Sequence, residues 1–205
     1  MKYQQTKLLC AFAALALAMS ALPSQARDIK IGHSQSDGIP MHKALVSFAE
    51  EVKQKTNGEL TFTILHGGVL GGDLEMAQQL RGGMLEAWSM SGLGNIEPMV
   101  PAAVVDELPY IFKDTQAVYD AFDGEFGKRL ASQYIEPLGM KVICYLEFGF
   151  RHTVNNIRPI TKPDDLKGIK LRVPQQEMRV EYFKLLGANP VPIAWPEVFT
   201  VLQQG

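Results

Sequence analysis

The sequence is short of several things, and each shortage closes off a class of function. Its 205 residues include two cysteines, too few for a disulfide-stapled scaffold or a cysteine-rich zinc site. Lys and Arg number 20 against 22 Asp and Glu, so there is no basic surplus of the kind that holds nucleic acid. Four histidines, His33, His42, His66 and His152, are scattered without His-x-x-x-His spacing, and no metal site is expected. No Gly-x-Ser-x-Gly elbow and no nucleophile–base pairing is present. Nothing in the chain speaks for an enzyme. Gly92-Leu93-Gly94 lacks the third glycine of a dinucleotide fingerprint, since Glu97 occupies that place and Pro98 follows. Gly67-Gly68-Val69-Leu70-Gly71-Gly72 lacks the lysine and hydroxyl of a phosphate loop. Both stretches read as turns where the backbone comes close to something else, and no cofactor is expected.

Long apolar runs are also scarce. The principal one, Leu8–Leu22, is broken only by Ser20, follows Lys2 and Lys7, and precedes the small residues of Ser24-Gln25-Ala26. That is the layout of a secretory signal peptide, and the run is short of the roughly 20 residues that span a bilayer. Residues 1–26 are therefore expected to be a leader cleaved after Ala26, placing the mature chain in the periplasm. Leu9 before Cys10 is not small, which argues against a lipid tether. Cleavage would leave 18 basic and 22 acidic side chains, and Cys144 as the lone cysteine. Set in Val142-Ile143-Cys144-Tyr145-Leu146, that thiol is expected to be a buried small hydrophobe rather than a nucleophile, which would need a base and exposure.

What is present is ordinary globular composition, 46% hydrophobic and 20% charged, at a length fitting one domain or two small ones. Asp28–His33 is extended in pattern. Met41, Leu45, Phe48 and Val52 recur at helical spacing up to Asn57-Gly58, and Leu60–Leu65 reads as a strand. Asp73 is placed as the cap of a helix through Leu80, and Glu86–Met90 as a strand. Helices are expected at Thr115–Phe122 and Glu125–Tyr134, and strands at Lys141–Phe148 and Arg151–Val154. Ile169–Val173 and Asn189–Ile193 read as strands around a helix at Glu177–Leu186, and Pro196 opens a last helix. This alternation implies an α/β protein with right-handed crossovers.

Two arginines stand out. Arg151 follows Phe148-Gly149-Phe150, and Arg172 interrupts the apolar strand Ile169-Lys170-Leu171-Arg172-Val173. A guanidinium in such a place needs a partner. That partner is either an internal carboxylate or the carboxylate of a ligand, which the planar fork can grip through both oxygens.

At these residues the sequence resembles the solute-binding subunits of tripartite ATP-independent periplasmic (TRAP) transporters, over the whole expected mature chain. The likeness is carried by Ile29-Lys30-Ile31-Gly32-His33, Val69-Leu70-Gly71-Gly72-Asp73 and Glu107-Leu108-Pro109-Tyr110-Ile111-Phe112. Its most specific blocks are Leu166–Pro174, Leu186-Gly187-Ala188-Asn189-Pro190-Val191-Pro192 and Glu197–Gly205.

The resemblance implies a two-lobed, type II-like periplasmic binding protein that closes on a small organic acid and delivers it to an ion-gradient-driven permease. It implies a first lobe over residues 27–148 and an incomplete second lobe over 149–205. Arg172 would make the bidentate carboxylate contact and Arg151 support it. Ser34, Asp73 and Ser91 would face the cleft from the first lobe, Gln175 and Trp195 from the second. Relatives continue past the position of Gly205, so the chain is expected to be an N-terminal fragment. Two alternatives share the architecture: a periplasmic enzyme, distinguished by turnover of its ligand, and a receptor of an ATP-driven transporter.

Overall fold

A computed structural model describes residues 26–205, so the expected leader, including Cys10, lies outside the described residues except for Ala26. Strand β1 (Arg27–Gly32) leads through helix α1 (Pro40–Lys55) to β2 (Leu60–Leu65), and helix α2 (Asp73–Arg81) leads on to β3 (Ala87–Trp88). The three strands form a parallel sheet in the order β2-β1-β3. Arg27 pairs with Leu60 and Gly32 with Leu65, while Ile31 and Gly32 pair with Ala87 and Trp88. Gly32 is glycine for a packing reason: a Cβ there would lie 2.9 Å from the Met76 sulfur and 3.2 Å from Leu85.

Tight turns at Leu93–Ile96 and Pro101–Glu107 follow, then α3 (Thr115–Phe122) and α4 (Glu125–Arg129), which widens into a looser turn through Ile135. Asp114 caps α3 by accepting from the Ala117 amide at 2.9 Å. The main core lies here, where Ala77, Ile96, Val100, Ala103, Phe122, Leu130, Ile135 and Met140 pack together. A second, two-stranded parallel sheet joins β4 (Lys170–Val173) to β5 (Asn189–Pro192) through α5 (Glu177–Leu185), and α6 (Val198–Gln204) follows.

Three expectations need correction. Lys141–Phe148 and Arg151–Val154 run irregularly, because a strand exists only where a neighbour accepts its ladder, and no described strand lies beside them. Cys144 is consequently exposed rather than buried. Finally, Asp73 is the first residue of α2 and not its cap; Gly72 holds the cap position. Its carboxylate turns away from the helix amides toward three side-chain donors described below.

Candidate functional site

With β1 between β2 and β3, the strand order reverses at β1, the kind of switch point outside whose carboxyl ends open α/β sheets hold ligands. Ser34 follows β1, Ser91 follows β3, and Asp73 opens α2 between them. The Asp73 carboxylate gathers all three elements: Ser34 and Ser91 hydroxyls donate to Oδ2 at 2.9 and 3.1 Å, and Trp88 Nε1 donates to Oδ1 at 3.3 Å. Burial pushes the Asp73 carboxyl above its ordinary range, and these donors together with the Arg151 charge pull against that rise.

Arg151 joins this group by donating from Nη2 to the Ser91 carbonyl at 2.8 Å. Gly92, at φ 136°, makes room for it: a Cβ there would stand 3.3 Å from the same nitrogen. Arg172 projects from β4, donating from Nε and Nη2 to the Ile193 carbonyl at 3.0 and 2.6 Å, with its guanidinium carbon 5.5 Å from the centre of the Trp195 ring. Half-buried, it is held down to about 10 by desolvation first, then by the neighbouring Arg151 and Arg179 charges, with Asp73 opposing. Among the described residues neither Arg151 nor Arg172 forms an ion pair. The internal carboxylate that would have explained Arg172 is not there.

The sequence reading missed the layer behind these arginines. Arg179 on α5 forms an ion pair with Glu107, whose side chain is 1% exposed. Gln176, itself buried, donates to Asn95 Oδ1 at 3.2 Å. Both contacts tie the start of α5 to the turns that follow β3. Gly94 sits at their junction, where a Cβ would meet Glu107 at 2.7 Å and Gln176 at 3.0 Å; Gly68 likewise lies against Pro196. The glycine stretches are indeed places of close backbone approach. Two signals could have found this layer: the acids Asp106-Glu107 end the otherwise apolar run Ala102-Ala103-Val104-Val105, and Arg179 sits between Met178 and Val180. Gln175, by contrast, is exposed and borders a shallow groove with Val180, Glu181 and Lys184; the structure does not bring it to the arginines.

Asp106 accepts from the Leu93 and Gly94 amides at 2.7 and 3.1 Å, fixing the turn after Ser91. Burial, then the adjacent Glu107 charge, raises its carboxyl from the ordinary 3.8 to about 6. The folded state therefore holds a proton that the unfolded chain has lost. Asp106 contributes most to stability below pH 3.8, and that contribution is lost as pH rises through about 6. Asp106→Asn is expected to flatten this part of the profile. Urea unfolding at pH 4 to 7 measures it, and parallel profiles for the two proteins would refute the assignment.

The sequence profile of the bacterial extracellular solute-binding proteins, family 7, matches residues 31–205. The 2,3-diketo-L-gulonate-binding periplasmic protein YiaO of Escherichia coli is 32% identical over 91% of this chain and 56% of its own length. A TRAP periplasmic solute binding protein from Sulfitobacter, solved with β-D-galacturonate, is 32% identical with a TM-score of 0.83, covering 87% of this chain and 59% of its own. Another from Roseobacter denitrificans, solved with β-D-glucuronate, is 37% identical with a TM-score of 0.82 over the same shares. The chain spans about half the length of the curated relatives it matches.

Proposed function

The chain belongs to family 7 of the bacterial extracellular solute-binding proteins, and on that premise we propose that it is a periplasmic receptor for a small organic acid. The family is one of solute-binding receptors rather than enzymes, which removes the enzymatic alternative. Resemblance to TRAP periplasmic solute binding proteins favours an ion-gradient-driven TRAP permease over an ATP-driven one as the partner that takes the solute. Residues 1–26 serve as the cleaved leader in this reading, residues 27–148 belong to the first lobe and residues 149–205 to part of the second.

The observation that carries the reading is Arg172: a half-buried guanidinium near Arg151, bonded to the Ile193 carbonyl and, among the described residues, to no carboxylate. Such a charge waits for an anion. In open water a carboxylate contact contributes little, but solvent exclusion strengthens it several-fold. A cleft closing between the two sheets supplies that exclusion and gives the permease a closed shape to recognise.

The surroundings favour a hydroxylated monocarboxylate. Asp73, Asp106 and Glu107 lie within electrostatic reach of Arg151, and Asp73 within reach of Arg172 as well. A second ligand carboxylate would face those acids, whereas a hydroxyl can donate to the lone pair Asp73 leaves free. Structural neighbours carry galacturonate, galactonate, glucuronate and erythronate, and one carries succinate. Titration calorimetry of the full-length protein is expected to find micromolar or tighter binding of at least one sugar acid, and weaker binding of succinate. Binding of none of these acids would defeat the proposal.

A further inference from the structure

The histidines are not scattered in space. The parallel register that pairs Gly32 with Leu65 makes His33 and His66 the next neighbours along β1 and β2, and the His33 amide continues the ladder by donating to the Leu65 carbonyl at 3.0 Å. His42, in the first turn of α1, meets them. His33 Nε2 and His42 Nδ1 are 3.0 Å apart. The ring centres lie 5.2 Å (33–42), 5.0 Å (42–66) and 6.2 Å (33–66) from one another.

These spacings match a known chemistry. Three imidazoles on one tetrahedral zinc, with Zn–N near 2.0–2.1 Å, hold their ligating nitrogens about 3.3 Å apart and their ring centres roughly 5 Å apart. Two of the three edges already have that length, and the third is about an ångström too long. Among the described residues no three donors are preassembled around one point. His66 is exposed, however, so its side chain can turn toward the other two without disturbing the core. We propose that His33, His42 and His66 form a binding site for a divalent late-transition-metal ion of the zinc class, at the carboxyl ends of β1 and β2.

The metal would replace the proton shared by His33 and His42. His33 is fully buried, which excludes water from one side of the ion. Its Nδ1 has no partner within hydrogen-bond geometry, although the Gln35 backbone acts on the ring. Fixing the outer nitrogen on a carbonyl is the usual second contact of a ligating histidine, and Gln35 stands ready to supply it. Imidazole donors without thiolate suit zinc, nickel or copper(II) rather than calcium or magnesium.

The test is titration of the chelator-treated full-length protein with Zn2+, and with Co2+ read by its visible absorption. One ion per chain at micromolar Kd is expected, with the intense bands of a tetrahedral Co2+ site. His42→Gln and His66→Ala should each weaken binding at least about tenfold, in line with losses at metal-supporting positions. Because His66 is exposed, its variant keeps the test meaningful if His42→Gln misfolds. No saturable binding, or binding unchanged by either substitution, would overturn the proposal.

Discussion

Arg172→Ala is expected to abolish measurable binding of the carboxylate solute while leaving the fold intact. Truncating one partner of a desolvated, hydrogen-bonded charge pair costs about 2–5 kcal/mol, which is about 30-fold to several thousand-fold in Kd. The fold should tolerate the change, because the guanidinium forms no internal ion pair among the described residues and its retained contacts are to one carbonyl and one aromatic face. Removing a half-buried, partnerless cation relieves a desolvation cost, so thermal stability without ligand should hold or rise. Arg172→Lys is expected to restore charge without the fork and recover only part of the affinity. Calorimetry on the three proteins, with thermal unfolding in parallel, measures both halves. Undiminished affinity in Arg172→Ala would remove Arg172 from the site, and a collapse of stability would make it structural.

How far this site was legible differs residue by residue. Arg172 was visible because one charge interrupts an apolar strand, an anomaly that survives without tertiary information. Asp73, Ser34 and Ser91 were placed by resemblance alone. Their meeting depends on the strand order β2-β1-β3, and no local pattern encodes an order of strands. Arg179 and Glu107 lie 72 residues apart, and only the packing of α5 on the turn at Pro101–Glu107 joins them. The strand expected at Lys141–Phe148 failed for a related reason: its apolar residues have the right propensity, but a ladder is a property of two segments. The proximity of the histidines is likewise invisible along the chain, since residues 33 and 66 are neighbours by parallel register. Helix and strand positions elsewhere held because periodicity, glycine stops and proline starts act within a few residues.

The second large effect is expected at the pair behind the arginines. Arg179→Ala leaves the Glu107 carboxylate, 1% exposed in its side chain, without its counter-charge, and breaking a buried pair from one side destabilises by about 3–5 kcal/mol. Arg151 lies within electrostatic reach of Glu107 and offsets part of the loss, but Gly94 closes one side of the carboxylate and its Oε1 already lacks a hydrogen-bond partner. Replacing both members with apolar residues of similar volume, as in Glu107→Leu with Arg179→Met, should recover most of that loss, because a buried ion pair repays its own desolvation only in part. Urea unfolding of the parent, Glu107→Leu, Arg179→Met and the double variant closes the cycle, and a coupling energy near zero would show the pair to be incidental. Ligand affinity then separates two roles. Arg179 adds positive charge beside Arg151 and Arg172, but Glu107 cancels most of it. If the pair only stabilises, the double variant should bind the acid normally. If it also sets the distance between the two sheets, together with Gln176 and Asn95, a stable double variant should bind more weakly. The second outcome is expected, since Leu and Met restore volume and burial but have no directional contact with which to hold α5 in register.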